Sequence, residues 1–191
     1  MLMLNIVFAL EQISEALPVL EDSDIIAIAE NQKDALHNFY NKTKNSIYGF
    51  ALSITKNKYD AEDVLQETVL AVYNNAERYI SKGKPMAWVL TITKNLALTK
   101  HREIKKQLSF SESIGYNIQD FSDIENLELR LIIESVFTIL SDDERSIVSL
   151  KTVSGLHFKE IAALLSLPIG TVLSKYHRAV KKLQQNIDGR L

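Results

Sequence analysis

The stretch LHFKEIAALLSLPIGTVLSKYHRAVKKL, residues 156–183, decides how this chain is read. Its first part, about Phe158–Leu165, has the length of a short helix with Ile161, Ala162 and Leu165 turned inward. Ser166-Leu167 makes a tight turn, and Pro168 suits the first turn of a second helix, where a missing N–H is no penalty. In that helix Val172, Tyr176, Ala179 and Leu183 fall at i, i+4, i+7 and i+11, one narrow apolar stripe. Ser174, His177, Arg178 and Lys181 face the other way, with Thr171, Lys175 and Lys182 on one flank. Such a helix packs its back on its predecessor and offers hydroxyls and cations to base edges and phosphates. The pair reads as a DNA-binding helix-turn-helix. The rival reading, an amphipathic pair with a solvated basic face, does not account for the short helix, tight turn, proline and one-sided charge together.

Upstream, Ser141 followed by Asp142, Asp143 and Glu144 is an S-x-x-E capping box opening a helix to about Val153, with Gly155 at its stop. Three neighbouring acids could suggest acid–base or metal chemistry, but helix capping accounts for them. The rest of the 191 residues is in keeping: 46% are apolar, and only 6 Gly and 3 Pro interrupt them, which argues for helices joined by short turns. The chain has no Cys, so disulfides and thiolate metal sites are excluded, which fits a reducing cytoplasm. Its four His lack metal-ligand spacing, no Gly-rich phosphate loop is present, and an enzyme, a bound metal or a cofactor is not expected. The apolar start MLMLNIVFAL lacks a basic n-region and a cleavage site, and no stretch is long enough to span a bilayer, so neither a signal peptide nor membrane insertion is expected.

The net charge of −2 hides opposed blocks. Residues 1–35 hold seven acids against one base, and residues 107–129 hold five acids and no base. Residues 84–106 hold six bases against Glu103 alone, and residues 157–191 six against two acids. Basic surfaces separated by an acidic segment suggest a polyanionic partner. Helical periodicity fails over about 107–127, which is Ser/Asn/Asp-rich. The expected architecture is all-α: an N-terminal extension (1–21), a helical domain (22–106), an acidic linker (107–127) and a helix-turn-helix domain (128–191).

In the first domain the periodicity predicts helices near 22–31, 34–56, 60–80 and 85–106, with Asp60 as N-cap of the third. Val64, Leu65, Thr68, Val69, Val72 and Ala76 form that helix's core face, while Asp63, Gln66, Glu67, Leu70 and Asn74 lie opposite. Pattern alone favours an ordinary solvated face there over a docking surface for a basic partner. On the fourth helix Trp88, Val89, Ile92 and Leu96 form the apolar stripe, and Lys94, His101, Arg102 and Lys105, with Thr91, cluster elsewhere. The basic stripe suits phosphate contacts, and Trp88 fits a stacking platform or a core position equally.

Two runs, YDAEDVLQETVLAVY (59–73) and PMAWVLTITKNLAL (85–98), resemble region 2 of the sigma-70 family of bacterial RNA polymerase sigma factors. The run 140–183 resembles region 4 of the same family. Both occur in the family's order with little between or before them, as in the small extracytoplasmic-function type. The resemblance implies a non-enzymatic specificity subunit that binds core RNA polymerase, directs it to promoter DNA and helps melt it. It implies that Asp63, Gln66, Glu67 and Leu70 dock the clamp coiled coil of the largest subunit, with the flap of the second-largest subunit as a further contact. It places the stretch Tyr79–Lys94, with Tyr79, Lys84, Trp88 and Lys94, at the melted −10 element, counts Asn95 among the DNA-binding residues, and puts Lys100, Arg102 and Lys105 on the backbone. Thr171, Ser174, Lys175, His177, Arg178 and Lys181 would then read the −35 element. An anti-sigma factor joins the candidate partners. The alternative is a helix-turn-helix regulator that does not recruit polymerase. Leu173 stands where the family commonly has a cation, Ser166 where Gly is frequent, and Thr99-Lys100 where Asp-Arg is common. Residues 1–20 have no clear counterpart and fit a packed extra helix or a partner-binding element.

Overall fold

The structure, a computed structural model, describes residues 18–108 and 136–188, with side chains described to Glu103 in the first stretch and Asn186 in the second. In chain order the helices are α1 (Asp22–Ala29), α2 (Ala35–Thr55), α3 (Lys58–Asn75) followed by a single 3-10 turn (Ala76–Arg78), and α4 (Pro85–Leu108). Residues 136–139 are helical, and α5 (Asp142–Thr152), α6 (Phe158–Leu165) and α7 (Ile169–Asp188) follow. No strand occurs among the described residues, in agreement with the all-α reading. Most of the extension and linker (1–17 and 109–127) lies outside the described residues.

The third helix starts earlier than its acids suggest. Lys56 takes a left-handed backbone (φ 58°), and Asn57 becomes the N-cap. Its Oδ1 accepts the N–H groups of Tyr59 (2.9 Å) and Asp60 (3.2 Å), so Asp60 sits in the first turn rather than capping it. The helix also ends early: Tyr79 is already extended (φ −66°, ψ 128°), which frees a loop before Pro85.

The capping box on α5 forms as read: the Ser141 N–H donates to Glu144 Oε2 at 3.0 Å, and the Glu144 N–H to Ser141 Oγ at 3.4 Å. Capping is only half of the acids' role. Asp142 meets Lys56 at 2.8 Å, Asp143 meets Lys175 at 3.0 Å and Glu144 meets Lys182 at 2.7 Å, so the first turn of α5 clamps the end of α2 and two turns of α7. Burial pushes the Glu144 carboxyl up, but Lys182 and Ser141 outweigh it and hold it below its ordinary value. In the turn between α6 and α7, Ser166 adopts φ 57° and Leu167 N–H donates to Ala162 O at 3.0 Å. This left-handed position explains why Gly would serve as well there.

On α4 the buried ridge is Val89, Leu90, Thr93 and Ala97; Trp88, Ile92 and Leu96, expected as the stripe, are half-buried beside it. The apolar clusters then decide how the two units sit. Ile25, Ile28, Phe39, Ile47, Leu65, Val72 and Val89 form a core within α1–α4. A second core joins the units: Phe50 and Leu90 pack with Ile147, Leu150, Leu156, Ile161, Leu164 and Val172. Gly49 permits the close approach of α2 and α5, since a Cβ there would lie 3.2 Å from Val153 Cγ1. Ser46 Oγ donates to Val153 O at 2.7 Å across the same seam.

Candidate nucleic-acid interface

The acidic side of α3 is exposed as its periodicity implies. Asp63, Gln66, Glu67 and Leu70 share it, and Leu70 stands 59% exposed because the inward positions are occupied by Val64, Leu65, Thr68 and Val72. Tyr59 and Tyr73, also exposed, extend the same ridge at i, i+4, i+7, i+11 and i+14 from Tyr59. Sequence reasoning passed over these two tyrosines, although their spacing already placed them on the ridge. Asp63 is not free: Lys100 Nζ reaches its Oδ2 at 2.8 Å, and that hydrogen bond raises the lysine's pKa against the opposing effect of burial. A shallow groove between α3 and α4 brings Glu67 together with Asn95, Thr99, Lys100 and Glu103. Residues assigned to polymerase and to DNA by resemblance thus border one another.

The cations of α4 divide into two sets. Arg102 is exposed, and the Lys105 side chain lies outside the described residues. Lys94, by contrast, is half-buried and donates to Leu164 O at 2.7 Å, at the last turn of α6. A helix C-terminus leaves its carbonyls unpaired and partially negative, so it attracts a lysine there. Lys84 stays exposed and lies 3.6 Å from Glu160, which caps α6. Two of the expected −10 contacts therefore touch the helix-turn-helix unit in this arrangement. No periodicity argument within α4 could reveal that, because the partner groups lie about 70 residues away.

The loop 79–84 is shaped from both ends. The Tyr79 ring packs on Trp88 with centroids 4.8 Å apart and planes tilted by 52°, so Trp88 is partly core and partly the floor under Tyr79. Gly83 takes φ 67°, a conformation that favours glycine. Ile80 projects between them, 69% exposed.

The recognition helix α7 has the two faces its pattern implies. Val172, Ala179 and Leu183 are buried, and Tyr176 packs edge-on to Phe158 at 5.1 Å. Ser174, His177, Arg178 and Lys181 are exposed along the front. Arg178 Nε donates back to Ser174 O at 3.3 Å. Lys175, assigned to DNA, faces α5 instead and pairs with Asp143; Thr171 and Leu173 are half-buried on the flanks. Among the described residues no group of His, Asp and Glu is placed to hold a metal ion, and no helix is long and apolar enough to cross a membrane.

Comparison with known proteins follows the same two units. The sigma-70 region 2 family matches residues 39–107, and the sigma-70 region 4 family matches residues 130–183. The ECF RNA polymerase sigma factor SigM of Bacillus subtilis (strain 168) is 30% identical over 149 residues, covering 76% of this chain and 90% of its own. SigW of the same organism is 24% identical over 173 residues, covering 84% and 92%. Among solved structures, the sigma factor RpoE in complex with the anti-sigma factor NepR, from Bartonella quintana, has a TM-score of 0.65 at 22% identity, covering 81% of this chain and 98% of that one. CnrH in complex with the cytosolic domain of CnrY gives 0.62 at 20% identity, covering 88% and 97%. These last two are likenesses of fold.

Proposed function

This chain belongs to the sigma-70 family of RNA polymerase sigma factors, in the ECF group, and from that membership we propose how its surfaces divide the work of promoter-directed initiation. As a sigma factor it directs core polymerase to promoters, and it contributes binding rather than catalysis. The observation that carries the assignment is the presence of both region 2 and region 4 on one chain, in that order. Residues 22–106 form the polymerase and −10 domain, 107–127 the acidic linker and 128–191 the −35 domain. The exposed ridge with Asp63, Gln66, Glu67 and Leu70 docks the clamp coiled coil, and the flap contacts the second unit. Tyr79, Lys84, Trp88, Lys94 and Asn95 meet the opened −10 strand, Lys100, Arg102 and Lys105 hold backbone phosphates, and the α7 front reads the −35 duplex. Lys84 and Lys94 exchange their contacts with α6 for DNA when they do so. The RpoE complex with an anti-sigma factor supports a regulator of that class as a partner here, and cytoplasmic action follows from the polymerase.

Pull-down with bacterial core polymerase, followed by run-off transcription on a random promoter library, tests the assignment; a folded chain that binds no core would overturn it. Glu67→Lys is expected to lower core binding by roughly tenfold or more, because it sets like charge against a basic partner. Its fold should be kept, since the position is exposed. Arg178→Ala is expected to weaken −35 duplex binding by about 1–3 kcal/mol if the guanidinium reads a base, and less with a shallower salt slope if it holds a phosphate. Unaltered affinity and salt slope would show that α7 presents a different face.

A further inference from the structure

Three separate donors of the loop 79–84 converge on one carboxylate. Asp22, the first residue of α1, accepts the Tyr79 hydroxyl, the Ser81 hydroxyl and the Gly83 N–H, the last at 2.9 Å. Tyr79, whose backbone is extended, and Ser81 both bond to Asp22 on the α1 side, while Ile80 between them is left exposed to solvent. The left-handed backbone at Gly83 accompanies the N–H that completes the set. Nothing within 4 Å would obstruct a Cβ there, so glycine is needed for conformation and not for space.

An acid in this place calls for an explanation. Arg78, Lys82 and Lys84 are all exposed on the same short segment, which suits a nucleic-acid backbone. Asp22 stays charged beside that segment, and what sets it apart is the number of loop donors it collects. A helix-dipole role alone would account for an acid at the start of α1, but not for three donors reaching it from 57 to 61 residues away. The donors hold the Asp22 carboxyl below its ordinary value, Ser81 foremost, and the Tyr79 phenol is pushed up to about 12 by burial and by Asp22. Across physiological pH the bond therefore joins a carboxylate to a neutral phenol.

We propose that Asp22 is a positioning residue for −10 recognition: it latches the loop 79–84, seats the Tyr79 ring on Trp88, and holds Ile80 outward as the apolar surface against which an unstacked base of the opened strand rests. The inference rests on the assignment of this loop to the −10 element and adds to it the group that gives the loop one shape. A base meeting a preformed apolar edge and flanking cations needs less ordering on binding than one that must first organise a free loop.

Trp88 is the chain's only tryptophan, so its emission reports directly on the Tyr79 seat. The test compares wild type, Asp22→Ala, Tyr79→Phe and the Asp22→Ala/Tyr79→Phe double variant as full chains assembled with core polymerase. Three quantities are read: Trp88 emission and acrylamide quenching in the free chain, core binding, and base selectivity in a random promoter library. With Asp22→Ala, quenching of Trp88 should rise, and core binding and −35 selectivity should stay within about twofold of wild type. Selectivity at one or more −10 positions should fall about tenfold, the order of one lost base–side-chain stack. Tyr79→Phe keeps the ring and loses the hydroxyl, so it should show a smaller effect that does not add to Asp22→Ala. Unchanged Trp88 quenching in Asp22→Ala overturns the latch. A changed quenching with unchanged −10 selectivity overturns its role in recognition. A uniform loss of core binding and both selectivities would mark a folding role and also overturns the proposal. A wild-type complex that selects no promoter removes the functional assignment itself, a failure visible without any variant.

Discussion

Arg145→Ala is expected to destabilise the folded chain by about 3–5 kcal/mol in urea denaturation, more than its visible salt bridge would suggest. The residue is 4% exposed, and its partner Asp142 is mostly in water and already held by Lys56. An ion pair with one exposed member contributes about 0–1 kcal/mol. The larger effect comes from backbone carbonyls. The guanidinium donates to Leu140 O at 3.0 Å and Ser53 O at 3.4 Å, both buried, and to the part-buried Phe137 O at 3.4 Å and Val136 O at 3.5 Å. It also lies over the Phe137 ring, 5.1 Å from its centroid. Truncation removes the donor from those acceptors, at about 1–3 kcal/mol for each one left buried and unpaired. Burial lowers the guanidinium pKa and Asp142 opposes the shift, yet the group remains a cation throughout the accessible pH range. Asp142→Asn is the control, expected to cost under about 1 kcal/mol. If the two variants proved equally destabilising, the ion pair and not the carbonyl network would be the main contribution.

Phe50→Ala is expected to remove about 3–5 kcal/mol as well, but with a different signature. Phe50 belongs to α2, and its fully buried ring packs in the cluster with Ile147, Leu150, Ile161 and Leu164. The cavity would open at the seam between the units. A single unfolding transition monitored by several probes should therefore split into two as the halves uncouple. Phe39→Ala serves as the comparison, because Phe39 is equally buried but lies in the cluster within α1–α4. That variant should lose similar stability and retain the coupling of its halves. Should Phe50→Ala keep one coincident transition, the seam is not what couples them.

The surfaces assigned to function differ in how far the sequence reveals them. The α7 front follows from a local rule: a stripe at Val172, Ala179 and Leu183 leaves Ser174, His177, Arg178 and Lys181 outside whatever the rest of the chain does. The α3 ridge follows in the same way. Asp22 does not. Within its own helix it is an ordinary first-turn acid, and only the path of the loop after α3 brings Tyr79, Ser81 and Gly83 to it. The N-cap of α3 falls between these cases. Asn57 and Asp60 are both good caps, and the left-handed turn at Lys56 selected the first.

Sequence alone was sufficient for the helix-turn-helix at 156–183 and the all-α class, because periodicity and caps are read over a few turns of chain, and for the family, because the runs 59–73, 85–98 and 140–183 resemble its regions 2 and 4 directly. Only the tertiary structure decided that the two units share a core through Phe50 and Leu90. It also decided that Lys94 reaches the end of α6, that Lys175 and Lys182 face α5, and that one carboxylate gathers the 79–84 loop. The physical reason is common to all of these. A helical face specifies that something will cover it, and a charged side chain specifies that something will neutralise it. Which partner does so depends on the packing of residues far apart in the chain, and no local pattern encodes that choice.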